Sequence, residues 1–144
     1  MVESDTIKLL RECDAGVKMG IDSIEEVIER VSNKEFRDYL AECRKKHQTL
    51  VDEIGRELSK YNDDGKDPNP IVEAMSKVKT DLKTAFDGSD ERIADLMTDG
   101  CNMGVKSLSK YLNKYKAADE VSKDIAKKLI SQEEDLAISI RKFL

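Results

Sequence analysis

From Phe36 to Tyr61 an apolar side chain returns every third or fourth residue: Phe36, Leu40, Cys43, Leu50, Ile54, Leu58 and Tyr61, with His47 in the one remaining place. A stripe of about seven turns with that period belongs to a helix with one buried face, because a strand repeats every second residue. Ile7, Leu10, Val17, Ile21, Ile24, Ile28 and Val31 make a second such stripe, with Asp14 in its missing position. Ser32 followed by Glu35 predicts a capping box between them, so the connection is short and the two helices are antiparallel neighbours. Aromatic residues are only 5% of the chain and tryptophan is absent, which leaves little for a sheet to pack with. The fold class predicted is all-α.

The run Asn62-Asp63-Asp64-Gly65-Lys66-Asp67-Pro68 breaks the pattern with turn formers. Asn69 is expected to cap a third helix that begins at Pro70, where the missing N–H is harmless. Ile71, Met75, Val78, Leu82 and Phe86 form its stripe, and Asp87-Gly88 stops it. Ser89 is expected to cap a fourth helix with the seam Ile93, Met97, Cys101, Val105, Leu108, Leu112 and Tyr115. Asp119 is expected to cap a fifth, with Val121, Ile125, Leu129, Gln132, Leu136, Ile140 and Phe143 facing inward. The expected architecture is two long hairpins, 4–31/33–61 and 90–116/119–143, with a crossover helix over 70–86, in one domain spanning 1–144. Length permits one sizeable core and not two.

Charge excludes some partners. With 25 basic and 30 acidic side chains the net charge is −5, which argues against binding nucleic acid or an anionic membrane surface. No apolar run reaches the ~18 residues of a membrane span, and the N-terminus lacks the apolar core of a signal peptide. Cys13, Cys43 and Cys101 are odd in number and form no C-x-x-C pair, so reduced thiols and a cytoplasmic location are expected. No phosphate loop, nucleophile elbow or catalytic cysteine signature occurs.

The two halves also resemble each other. Cys13-Asp14-Ala15-Gly16-Val17-Lys18 parallels Cys101-Asn102-Met103-Gly104-Val105-Lys106 at an offset of 88, and His47, Leu50, Ile54 and Leu58 parallel Glu133, Leu136, Ile140 and Leu144 at 86. Two similar hairpins joined by a long connection resemble the ferritin-like four-helix bundle, whose crossover runs the length of the bundle. At 1.5 Å per residue, a 71–86 helix of ~24 Å could cover most of that distance. The stretch from Ile93 to Gly104 also resembles small bacterial ferritin-like proteins.

That resemblance implies a di-iron centre built from a glutamate on each of two helices and Glu-x-x-His on each of the other two. No Glu-x-x-His exists in this sequence. With His47 and Glu133 laid on the glutamate positions of those motifs, Leu50 and Leu136 stand where histidines should be, and the remaining helices offer Asp14 and Gly100. Asp14, His47 and Glu133 could still bind a metal, with Cys13 and Cys101 one residue out of register. Iron, manganese or zinc would then be the cofactor of an altered site, serving a metal-dependent oxidoreductase or a metal store. The simpler reading is a polar layer of Asp14, His47, Cys101, Gln132 and Glu133 whose members satisfy one another and fix helix register. No cofactor and no catalytic residue is expected on that reading.

The glycines Gly16, Gly20, Gly100 and Gly104 weaken their helices, and close approach of the first and fourth helices is the expected reason. Met19, Met75, Met97 and Met103 read as core filler. A redox sensor built on the thiols is a third function class. The favoured function is a non-enzymatic structural or protein-interaction role. A homodimer or a protein partner could use the third helix's stripe if it faces outward; packing on its own bundle is the equal alternative.

Overall fold

The computed structural model describes residues 2–65, 70–84 and 88–144. The expected cap at Asn69, the turn residues 66–68, and Phe86 with Asp87 lie outside the described residues. Helices α1 (Val2–Val27), α2 (Lys34–Ser59), α3 (Pro70–Lys83), α4 (Asp90–Lys114) and α5 (Glu120–Ser139) make an all-α protein with no strand among the described residues. Among the same residues no helix is long and apolar enough to cross a membrane.

The helix starts follow local chemistry. The Ser89 side chain accepts from Arg92 N (3.1 Å) and Asp119 from Ser122 N (2.8 Å), each satisfying an otherwise unpaired amide of the first turn. The cap of α2 is Asn33, accepting from Phe36 N at 3.1 Å, and not Ser32. The amides of Ser32 and Asn33 are instead taken by the Asp90 carboxylate, at 2.8 and 2.9 Å. The first helix also ends earlier than its stripe, in a 3-10 turn over Ile28–Arg30.

Those contacts fix directions. The α1–α2 turn lies against the start of α4 through Asp90. The α4–α5 turn lies against the start of α1, where Ala117 N donates to Asp5 Oδ2 (3.0 Å) and Asp119 N to Thr6 Oγ1 (2.8 Å). Helices α1 and α4 are therefore antiparallel, and α2 and α4 run the same way. The connection between α2 and α4 must return lengthwise, and α3 makes that return.

Helix α3 packs on α1 and α4, burying Ile71, Met75, Val78 and Leu82. Its apolar stripe thus faces its own bundle. Both of its ends are tied to the first helix region. Ile71 N donates to Glu12 Oε2 (3.3 Å), and Arg30 Nη2 donates to Leu82 O (2.6 Å). A carboxylate at the N-terminal end and a guanidinium at the C-terminal end both oppose the helix dipole. Burial raises the pKa of Glu12, while the Ile71 amide and Lys114 partly offset it.

The extra helix explains why α1 is buried over more than one face. Glu12, Cys13, Asp14, Gly16 and Val17 are all buried in succession but for Ala15. Gly16 and Gly100 make room for α3 and not for each other's helix: a Cβ would sit 2.9 Å from Ile71 Cδ1 at Gly16 and 3.1 Å from Val78 Cγ1 at Gly100. On α5, Val121 is 48% exposed and the inward position belongs to Ser122, a one-residue shift from the predicted seam.

The core falls into two apolar clusters. One gathers Leu10, Val17, Leu50, Ile54, Leu108 and Leu129 with their neighbours. The other gathers Ile24, Phe36, Leu40, Met97, Leu136 and Ile140, closed at the C-terminal end by Phe143 stacked on Phe36 at 4.8 Å.

Candidate functional site

Between the two clusters lies a polar layer, and each of the four long helices gives it one position. On α2 it is His47, between Cys43 of one cluster and Leu50 of the other; on α5 it is Glu133, between Leu129 and Leu136. On α1 and α4 it is a glycine. A Cβ on Gly20 would lie 2.9 Å from His47 Cδ2 and 3.0 Å from its Nε2, while Gly104 has the Glu133 side chain 3.7 Å from where its Cβ would be. Two helices omit a side chain so that the other two can bring large polar ones to the bundle axis. The predicted close approach of the first and fourth helices at these glycines is therefore replaced by space for side chains.

His47 has no exposed surface and Glu133 is 6% exposed. His47 Nε2 lies 2.8 Å from Glu133 Oε1, and Nδ1 lies 2.8 Å from Gln132 Oε1 and 3.7 Å from Cys43 Sγ. Both nitrogens thus face acceptors, and only the doubly protonated ring can donate to both. Burial opposes that charge, but the contacts with Cys43 and Glu133 outweigh it and raise the pKa from 6.5 to about 10. The layer holds an imidazolium–carboxylate pair, the arrangement in which neither buried group lacks a partner. Across the carboxylate, Cys101 is held as a thiol: burial, followed by the Glu133 charge, raises its pKa well above the ordinary value.

Not all predicted site residues converge. His47, Glu133, Cys101 and Gln132 do. Asp14 does not: it pairs with Lys18 Nζ at 2.8 Å on its own helix and lies against Gly65, where a Cβ would come within 2.7 Å of Asp14 Oδ2. Gly65 has φ of 71°, a conformation that glycine adopts freely. Asp14 therefore belongs to the end of the bundle where the α2 terminus turns, held there by its i,i+4 lysine. Cys13 points into the apolar cluster at that end, where burial, helped by Glu12 and Asp14, raises its pKa to about 12. Cys43, a seam residue by its spacing, also lies against the histidine ring. Its position one turn before His47 was the available signal.

Beside the pair is a small cavity of about 20 Å³, bordered by Cys43, His47, Met75, Met97, Cys101 and Glu133 among others. That is room for about one water molecule. Outside it, an open groove between α2 and α5 shares Cys43 and Leu136 as its inner wall.

The di-iron set implied by the ferritin-like resemblance does not fit these residues. Leu50 and Leu136 are buried apolar side chains at the two histidine positions, and α1 and α4 bring glycine to the layer. Among the described residues, no group of three or more His, Cys, Asp or Glu side chains is arranged to hold a metal ion.

Comparison with known proteins supports the same level of description. A crystal structure of a DUF305 fragment from Deinococcus radiodurans is similar in fold, with a TM-score of 0.76, 10% identity, and coverage of 96% of this chain and 93% of that one. No curated protein matches the sequence. Residues 5–114, which take in α1 through α4 and hence three of the four positions of the polar layer, match the family described as "Domain of unknown function (DUF2383)", and the chain belongs to that family.

Proposed function

We propose that this protein is a ferritin-like bundle in which the metal-binding layer has been replaced by a closed hydrogen-bonded lock, and that its role is structural or protein-binding and not enzymatic. The observation that carries this reading is the saturation of His47. Both ring nitrogens are engaged, by Glu133 and Gln132, leaving no lone pair for a metal or for a substrate proton. The order of helix directions, with α3 returning the chain between two antiparallel hairpins, supports the ferritin-like assignment. The contribution of α1, α2, α4 and α5 to both apolar clusters supports a single domain over 1–144.

Elemental analysis of protein purified without an affinity tag tests the reading. Iron, manganese and zinc each below a tenth of an equivalent are the expected result. A stoichiometric amount of any of them, lost on His47→Ala, would overturn it in favour of a metal-dependent oxidoreductase or metal store.

A further inference from the structure

The three thiols stand in different electrostatic settings. Burial, and then the Glu12 and Asp14 charges, hold Cys13 protonated; burial, and then the Glu133 charge, do the same to Cys101. Cys43 has a cation beside it instead. Its Sγ lies 3.7 Å from His47 Nδ1, and Glu133 Oε1 holds the far side of the same ring at 2.8 Å. Thiol, imidazole and carboxylate thus stand in a row, the order in which a nucleophile is activated by a group that a third one orients. The ring acts here by its charge, since both of its nitrogens donate, and a positive charge next to sulfur favours the attacking form. Access differs as well. Cys43 is 6% exposed, against 0% for Cys13 and 2% for Cys101, and it lines the open groove of about 380 Å³ between α2 and α5.

We propose that Cys43 is a redox-modification site, the thiol that a small uncharged hydroperoxide entering the α2–α5 groove oxidises to a sulfenic acid. Glu42 and Asp135 line the groove with Lys46, an acidic excess that disfavours anionic oxidants, and the little sulfur surface that reaches it admits a molecule the size of hydrogen peroxide and not a bulky one. The sulfur attacks one peroxide oxygen. An S–O bond forms as the O–O bond breaks, the departing hydroxide takes up the thiol proton, and water leaves. Sulfur loses two electrons and the peroxide gains them. Oxygen added to this sulfur stands beside Nδ1, where it competes with Gln132 Oε1 for the ring proton, so oxidation at the groove wall is felt in the buried layer. The site goes beyond the structural reading above and does not depend on it, because a thiol oxidised once per chain performs no turnover.

The full-length reduced protein, kept in chelator, is exposed to hydrogen peroxide with dimedone, which traps sulfenic acid, and each cysteine is read by peptide mass spectrometry. Trapping at Cys43 is expected at least ~10-fold faster than at Cys13 or Cys101, and His47→Gln is expected to slow it ~10-fold. No trapping at Cys43, or a rate at Cys13 or Cys101 that equals it, overturns the proposal. So does a preference for Cys43 that survives in urea, since it would then come from the local sequence and not from the ring and the groove. If His47→Gln loses helicity, the imidazole NMR signal of the unsubstituted protein decides: a signal displaced on oxidation upholds the contact, and an unmoved one overturns it. The elemental analysis above bears on the structural reading alone, so the two readings fail separately.

Discussion

His47 Nε2 lies 2.8 Å from Glu133 Oε1, and the pair occupies the level at which one apolar cluster gives way to the other. Because the sequence contains a single histidine, its ring is an unambiguous reporter. NMR titration should show one imidazole whose midpoint lies near 10. Glu133→Gln keeps the shape and removes the charge; the midpoint should fall, since the contact with Cys43 alone then opposes burial. A midpoint unmoved by that substitution would show that the carboxylate does not hold the proton.

Stability should depend on pH in a definite direction. The folded pKa of His47 is raised above its unfolded value of 6.5 to about 10, so its contribution is complete below about pH 6.5 and is lost as pH rises through 10. The thiols of Cys13 and Cys101, also raised, lose stability in the same direction once the unfolded chain ionises above about pH 8.5. Urea midpoints should decline from pH 6.5 to 10, and His47→Gln should flatten the part of the slope below pH 8.5. A midpoint that rises over this window would contradict the charge assignment.

Three glycines should respond differently to alanine. At Gly20 the new methyl meets the His47 ring at 2.9 Å, and overpacking there should cost about 1–3 kcal/mol. At Gly104 the nearest atoms stand at 3.7 Å, so the change should be tolerated. At Gly55, on the exposed face of α2, nothing lies within 4 Å, and alanine should stabilise by about 0.5–1 kcal/mol through helix propensity. Denaturant unfolding of the three variants checks the order, and equal effects at Gly20 and Gly55 would remove the steric argument.

Helix α3 should loosen before the rest. Glu12→Ala removes the acceptor of Ile71 N, and Arg30→Ala removes the donor to Leu82 O. Each should cost about 1 kcal/mol and speed amide exchange within Pro70–Lys83 while α2 and α5 stay protected. Uniform acceleration in every helix would instead mean that α3 unfolds only with the whole bundle.

The helices and two of their caps were legible because periodicity and N-cap chemistry are local. Ser89 and Asp119 act where their side chains predict. The α2 cap fell one residue away because Asp90, 57 residues distant from Asn33, takes the amides that a local reading left to the turn. The contact of His47 with Glu133 had a local signal, since a histidine in an otherwise apolar seam needs a buried partner. Asp14 was misplaced because a seam position fixes which face a residue is on, and not which partner competes for it; Lys18 settles that from the same helix. The division of labour among the glycines needed α3 in place, since nothing local separates Gly16 from Gly20.

The ties at the two ends of α3 make α1 a ruler. Glu12 on α1 and Arg30 in the 3-10 turn that ends it mark two fixed points, and the crossing helix must present Ile71 to one and Leu82 to the other. An added residue between them would turn one end by about 100° relative to the other, so neither sliding nor rotation could keep both contacts. The length of this segment is thereby set by another helix, and insertions that would lengthen an untethered connection harmlessly should here be read as changes of register.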